Sequence, residues 1–159
     1  MPYTSVWPNF EIGGFAYNSG LKILNALEKS CVQIEPVVRE ILESPNYTAC
    51  KNVHKLNLET ITPGRLGLKA SDAYQGTFFN AAERSGLRLI HSDTPLILRV
   101  RYKKQSENRF LYAGMKTINH KGTAYTFVLT VSKTTVWIRA EPLKCDSLLK
   151  PDAEFLFQR

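Results

Sequence analysis

The chain has 159 residues, 43% of them hydrophobic and 22% charged, which suits one folded domain with its own core. Twenty-one Lys and Arg against fourteen Asp and Glu leave a formal charge of +7, a balance that favours an anionic partner, nucleic acid or acidic protein. No apolar run approaches the roughly 20 residues that span a bilayer, no signal-peptide pattern opens the chain, and Cys31, Cys50 and Cys145 form no CxxC pair or zinc-ligand spacing. The expectation is a cytoplasmic protein with reduced thiols, no membrane partner, no metal and no cofactor.

Residues 1–18 mix aromatics (Tyr3, Trp7, Phe10, Phe15, Tyr17) with Pro2, Pro8, Gly13 and Gly14. Disordered tails are poor in aromatics, so this arm is expected to dock, on its own domain or on another subunit. Ser19 can cap a helix from Gly20 to about Ile34, with Leu21, Leu24, Leu27, Cys31 and Ile34 on one face, a surface for core packing or for a homo-oligomer. Glu35-Pro36 restarts a second helix over Pro36–Glu43, and Ser44-Pro45-Asn46 ends it. The polar stretch Ser44–Asn52 divides an arm and helical segment, 1–45, from an α+β domain, 53–159, unless the whole chain is one unit.

Val53–Ile61 has strand spacing. Ser71 is placed to cap a helix over Asp72–Ser85, Gly86 to end it in the left-handed region, and Leu87–Ile90 to lead on as a short strand. From Leu96 to Ala140 the pattern predicts four strands. In the first, Leu96, Leu98, Val100 and Tyr102 alternate with Ile97, Arg99, Arg101 and Lys103. Arg109–Ile118 follows, with Gly114 marking a bulge or a close backbone approach, then Tyr125–Val131 after the turn Asn119–Gly122, then Thr135–Ala140. Short links make such neighbours antiparallel. Ala153–Phe157 is a closing strand. The expected fold is α+β: an N-terminal helical segment, then an antiparallel β-meander packed by the helix at 72–85.

Leu66-Gly67-Leu68, Ala73-Tyr74, Phe78–Ala82, Gly86–Leu89, Leu98–Tyr102, Gly114–Ile118 and Glu154–Phe157 together resemble a group of small uncharacterised bacterial proteins. The resemblance covers residues 66–157 and implies no activity and no catalytic residues. The loops between strands are acidic in that group and basic here.

The alternation puts Arg99, Arg101 and Lys103 on one side of a strand and Trp137 and Arg139 on one side of another, with Lys116 beside them. Cations track phosphates and an exposed aromatic stacks a base, so these six residues are the expected binding surface of a non-enzymatic binding or regulatory protein. The alternative is a small hydrolase or nuclease. It would use Cys50 or Cys145 with one of His54, His91 and His120, or the late acidic cluster Asp146, Asp152 and Glu154, which could hold magnesium. His91 precedes Ser92-Asp93, a carboxylate that could orient an imidazole. No glycine-rich phosphate loop and no RRM-type motif is present.

Overall fold

The structure, a computed structural model, describes residues 5–159. Tyr3 of the aromatic arm lies outside them. The elements in chain order are β1 (Val6–Ile12), α1 (Gly20–Lys29), β2 (Gln33–Ile34), α2 (Pro36–Glu43), β3 (His54–Ile61), α3 (Gln75–Arg84), α4 (Asp93–Arg101), β4 (Leu111–Ala113), β5 (Ile118–His120), β6 (Thr123–Ser132), β7 (Thr135–Pro142) and β8 (Glu154–Gln158). They form an α+β fold around one eight-stranded sheet of order β1-β3-β8-β4-β6-β7-β2, with β5 paired to β6. The pairs β4–β8 and β2–β7 are parallel and the others antiparallel.

The meander expected around Tyr125–Ala140 is present. Lys121 and Gly122 both have positive φ, 52° and 82°, as do Lys133 and Thr134, 48° and 68°. Two successive left-handed residues make the two-residue turn whose twist matches antiparallel strands, so each pair closes a hairpin onto β6. At Gly114 the close approach is real: a Cβ there would lie 2.7 Å from the Leu156 carbonyl oxygen. That contact lets β4 lie parallel to β8, and it splits the expected strand Arg109–Ile118 into β4 and β5.

β8 faces two cores. Leu156 belongs to the larger cluster, with Ile23, Leu27, Val38, Leu58, Leu96, Leu129 and Ile138. Phe155 and Phe157 point the other way, into a smaller cluster with Phe78, Ala82, Leu87 and Leu143. Phe78 meets both phenylalanines edge-on, with ring centroids 5.1 and 5.6 Å away, a favoured aromatic arrangement. The helix expected over 72–85 therefore covers only this second face. It begins at Gln75, not Asp72, because residues 71–74 are drawn into a bridge with the 145–149 loop: Gln75 N–H donates to the Ser147 carbonyl at 2.8 Å. Gly86 does follow with φ 89°.

The larger face is covered by α1, α2 and α4. Ser19 caps α1, its hydroxyl accepting from Lys22 N–H at 3.2 Å, and Pro36 occupies the first turn of α2. α1 stops at Lys29, short of the expected Ile34, where Cys31 takes φ 59° and Gln33–Ile34 pair with β7. The arm docks on its own sheet: β1 pairs with β3, Phe10 and Ile12 are buried, and Trp7 packs edge-on against Tyr102 at 5.2 Å. One apolar cluster thus draws on both the 1–45 and the 53–159 segments.

The main correction falls on Leu96–Lys103. The expected basic strand is instead helix α4, and every residue from Asp93 to Arg99 is buried. A helix buried all round has no polar stripe, so its Leu-Ile-Leu-Arg-Val-Arg run mimics strand alternation. Ser92-Asp93-Thr94-Pro95 carries the helix-start chemistry: an acid in the first turn beside the dipole's positive end, and a proline where N–H groups lack intrahelical acceptors. The short strand expected at Leu87–Ile90 is reduced to isolated bridges, Arg88 with Gln158 and Ile90 with Met115. Among the described residues no helix is long and apolar enough to cross a membrane.

Candidate ligand-binding cleft

The helical form of α4 removes Arg99, Arg101 and Lys103 from the expected basic strand face. Arg99 is fully buried. Its guanidinium donates to Gln105 Oε1 at 2.8 Å, to the Thr130 and Trp137 carbonyls at 3.4 Å, and to the Tyr102 carbonyl. Gln105 in turn donates to the Leu129 carbonyl at 2.8 Å, so the cation ties the end of α4 to β6 and β7. Burial without a carboxylate partner holds Arg99 down to about 10. Arg101 lies over the rings of Phe10 (5.0 Å) and Tyr17 (6.0 Å), and Lys103 donates to the Ser30 carbonyl at 2.5 Å. In β7 the expected alternation holds, with Ile138 and Ala140 buried. Trp137 is covered by the Arg139 guanidinium, 4.6 Å from its ring, and Arg139 reaches Glu35 at 3.9 Å. Lys116 is exposed, away from these, and has no ion-pair partner among the described residues.

Lys116 lines a cleft of about 790 Å³. Its walls are the end of α2 (Ile41) with the 44–48 loop, the segment Ile90–Ser92 entering α4, and the Lys116–Lys121 stretch that carries β5. Each wall has a local cause. Pro45 stops α2, and Ser44 folds the loop back by accepting Asn46 N–H on its hydroxyl (3.2 Å) and Tyr47 N–H on its carbonyl (3.1 Å). Ile90 is held by its N–H on the Gly114 carbonyl, 2.9 Å. The Lys121-Gly122 turn places Lys121 at the hairpin tip.

Two lysines (116 and 121), two histidines (91 and 120), Asn46, Asn119 and several hydroxyls face this space, above Ile41, Ile90 and Ile118, and no carboxylate is among the lining side chains. Glu40 stands just outside, 2.9 Å from His120 Nε2 and 3.5 Å from Lys121 Nζ. The His120 hydrogen bond, then the Lys121 charge, hold its carboxyl below the usual range.

Behind the inner wall lies a polar cluster. Asp93 is fully buried; its Oδ2 accepts Cys50 N–H at 2.7 Å and its Oδ1 accepts the Tyr47 hydroxyl. Tyr47 Oη also contacts Ser92 Oγ at 3.1 Å, and Asp93 N–H donates to His91 Nδ1 at 3.1 Å. Burial, then the Asp93 charge, push the Tyr47 hydroxyl well above its ordinary range and raise the Cys50 thiol. One donor atom from each of Cys50, His91 and Asp93 lies within 4.8 Å of the other two. The structure thus brings together the Cys50–His91–Asp93 group among the alternatives open in the sequence. Among the described contacts no hydrogen bond joins the Cys50 thiol to the His91 imidazole. Cys31 and Cys145 are exposed elsewhere.

The late acidic cluster does not assemble. Asp152 and Glu154 line a second cleft of about 780 Å³, and Asp146 is not on it. Glu154 is held by Arg109, whose Nε lies 3.0 and 2.9 Å from its two oxygens. Tyr47 and Asn46 went unnoticed as site residues in the sequence, since a tyrosine and an asparagine in a polar link carry no periodic signal. No family model matches the chain, and neither a curated protein nor a solved structure matches it.

Proposed function

We propose that this protein is a non-enzymatic binding protein that engages a phosphate-bearing ligand, a nucleotide either free or within a single strand, in the cleft between the 44–48 loop, Ile90–Ser92 and the 116–121 hairpin. The observation that carries the reading is the convergence of Lys116, Lys121, His91 and His120 on a space with no lining carboxylate. The volume falls in the range of small-ligand sites, which pair an apolar floor with a few placed polar groups. Ile41, Ile90 and Ile118 offer the floor for a flat ring; the lysines and the Asn46 and Asn119 amides offer donors to phosphate oxygens. Of the six residues of the expected basic face, Lys116 alone carries over to this site, because the other cations are engaged in holding the fold.

Calorimetric titration with a mononucleotide, a short single-stranded oligonucleotide and an acidic peptide tests it. Binding of the mononucleotide and the oligonucleotide supports a nucleotide site; binding of the oligonucleotide alone supports a strand. Affinity should fall as salt rises, and Lys116→Glu with Lys121→Glu should reduce that slope by about the two contacts removed. Failure of both phosphate ligands to bind, or equal binding of the acidic peptide, would overturn the assignment.

A further inference from the structure

We infer that Cys50, His91 and Asp93 form a binding site for a borderline divalent cation of the zinc type. The site shares His91 with the anion cleft, while its other two donors, Cys50 and Asp93, do not line that cleft.

Three observations carry the inference. First, the donors are one sulfur, one imidazole nitrogen and one carboxylate oxygen within 4.8 Å of one another, the only such grouping of His, Cys, Asp and Glu among the described residues. Zinc takes this donor mixture, and its tetrahedral geometry draws ligand pairs to roughly 3.3–3.8 Å, inside the 4.8 Å within which these donors lie. Second, Asp93 has no exposed surface, yet no lysine or arginine pairs with it among the described contacts; His91 Nδ1, which accepts the Asp93 N–H, lies 3.6 Å from Oδ1. A buried carboxylate without a fixed cation is costly, and a divalent ion supplies that charge. Third, the framework is built before any ion arrives. Cys50 N–H and the Tyr47 hydroxyl fix both Asp93 oxygens, as hydrogen-bond donors behind a metal-binding carboxylate orient it. Gly13 lets the arm press on this link: a Cβ there would lie 2.1 Å from the Asn52 carbonyl oxygen and 3.2 Å from Cys50 Cβ.

Binding is a proton-releasing step. The Cys50 S–H bond breaks, a sulfur–metal bond forms from its electron pair, and the proton leaves to buffer; nothing is oxidised or reduced. Because coordination displaces the thiol proton, affinity should rise with pH. Three protein donors leave a fourth position for water or an anion.

The test uses the full chain carrying Cys31→Ser and Cys145→Ser, which removes the exposed thiols. Cobalt(II) titration should give a thiolate-to-cobalt charge-transfer absorption saturating at one ion per chain. Zinc should bleach it. Calorimetry in buffers of different ionisation enthalpy should show about one proton released per ion. Cys50→Ser should abolish the charge-transfer band, and His91→Ala should weaken zinc binding by at least about tenfold. His91 is partly exposed, so its variant remains folded and informative if Cys50→Ser does not fold, as circular dichroism would show. Lys116→Glu with Lys121→Glu should leave metal binding unchanged, which separates this inference from the anion reading. A cobalt complex without the charge-transfer band, or zinc affinity unchanged in His91→Ala, would overturn the site.

Discussion

The cations at the C-terminal end of α4 and those around the 116–121 hairpin come from the same basic composition and meet opposite fates. Around α4, Arg99 is spent on carbonyls of β6, β7 and the helix's own end, Arg101 lies on Phe10 and Tyr17, and Lys103 closes on Ser30. Around the hairpin, Lys116 has no partner among the described ion pairs and Lys121 shares one exposed glutamate with His120. The difference teaches that net charge says little about a binding surface until each cation's partners are known. A guanidinium suits the first role because its planar fork satisfies several carbonyls at once; an ammonium on a flexible stem suits the second.

The sharpest way to break this comparison is to remove Arg99. Arg99→Leu leaves Gln105 Oε1 and the Tyr102 carbonyl without their donor in a buried setting, and should cost roughly 3 kcal/mol or more in urea unfolding. Ligand affinity of the remaining folded protein should not change. A variant that stays fully stable would place Arg99 outside the structural class. Next in size, Lys116→Glu with Lys121→Glu should weaken nucleotide binding at least about tenfold, about 1.4 kcal/mol, while unfolding free energy moves by less than about 1 kcal/mol. The reverse pattern, lost stability with intact binding, would merge the two regions. Arg101→Ala removes only ring contacts and should cost about 0.5–1 kcal/mol, without a binding effect.

The smallest effect concerns Glu40. Glu40→Gln frees His120 and Lys121 and should raise affinity for a phosphate ligand about two- to fivefold at low salt. The same variant has a pH signature. The folded pKa of Glu40 is lowered from 4.5 by His120 and Lys121, so its contribution to stability is complete above that value and is lost as pH falls through the lowered one. Stability of the Gln variant should therefore lack this part of the acid-induced loss. An identical acid profile in urea unfolding would show that the contact does not form.

Much of the architecture was readable in residue patterns because it is local. Ser19 and Pro36 mark helix starts, and Gly86 ends a helix with positive φ. The hairpins around β6 follow from their turn residues, and Gly114 announces a close approach. β3 and β8 appear within a residue of their expected bounds. At α4, burial of every residue from Asp93 to Arg99 erases the helical stripe and leaves Leu98, Arg99, Val100 and Arg101 to mimic a strand, although Ser92-Asp93-Thr94-Pro95 signals a helix start. The site suffered more than the fold. Its walls lie up to 80 residues apart, Ile41 to Lys121, in a chain whose hydrophobic periods describe one element at a time.

Length, charge and alternation by themselves determined that the chain makes an α+β sheet with helices and an excess of cations, because these properties depend on neighbours in sequence. Which cations remain free, and that Cys50 comes to rest beside His91 and Asp93, only the tertiary structure decided. A pairing across 41 or 43 positions depends on how the sheet orders its strands and where α4 is buried, and no local propensity encodes that distance.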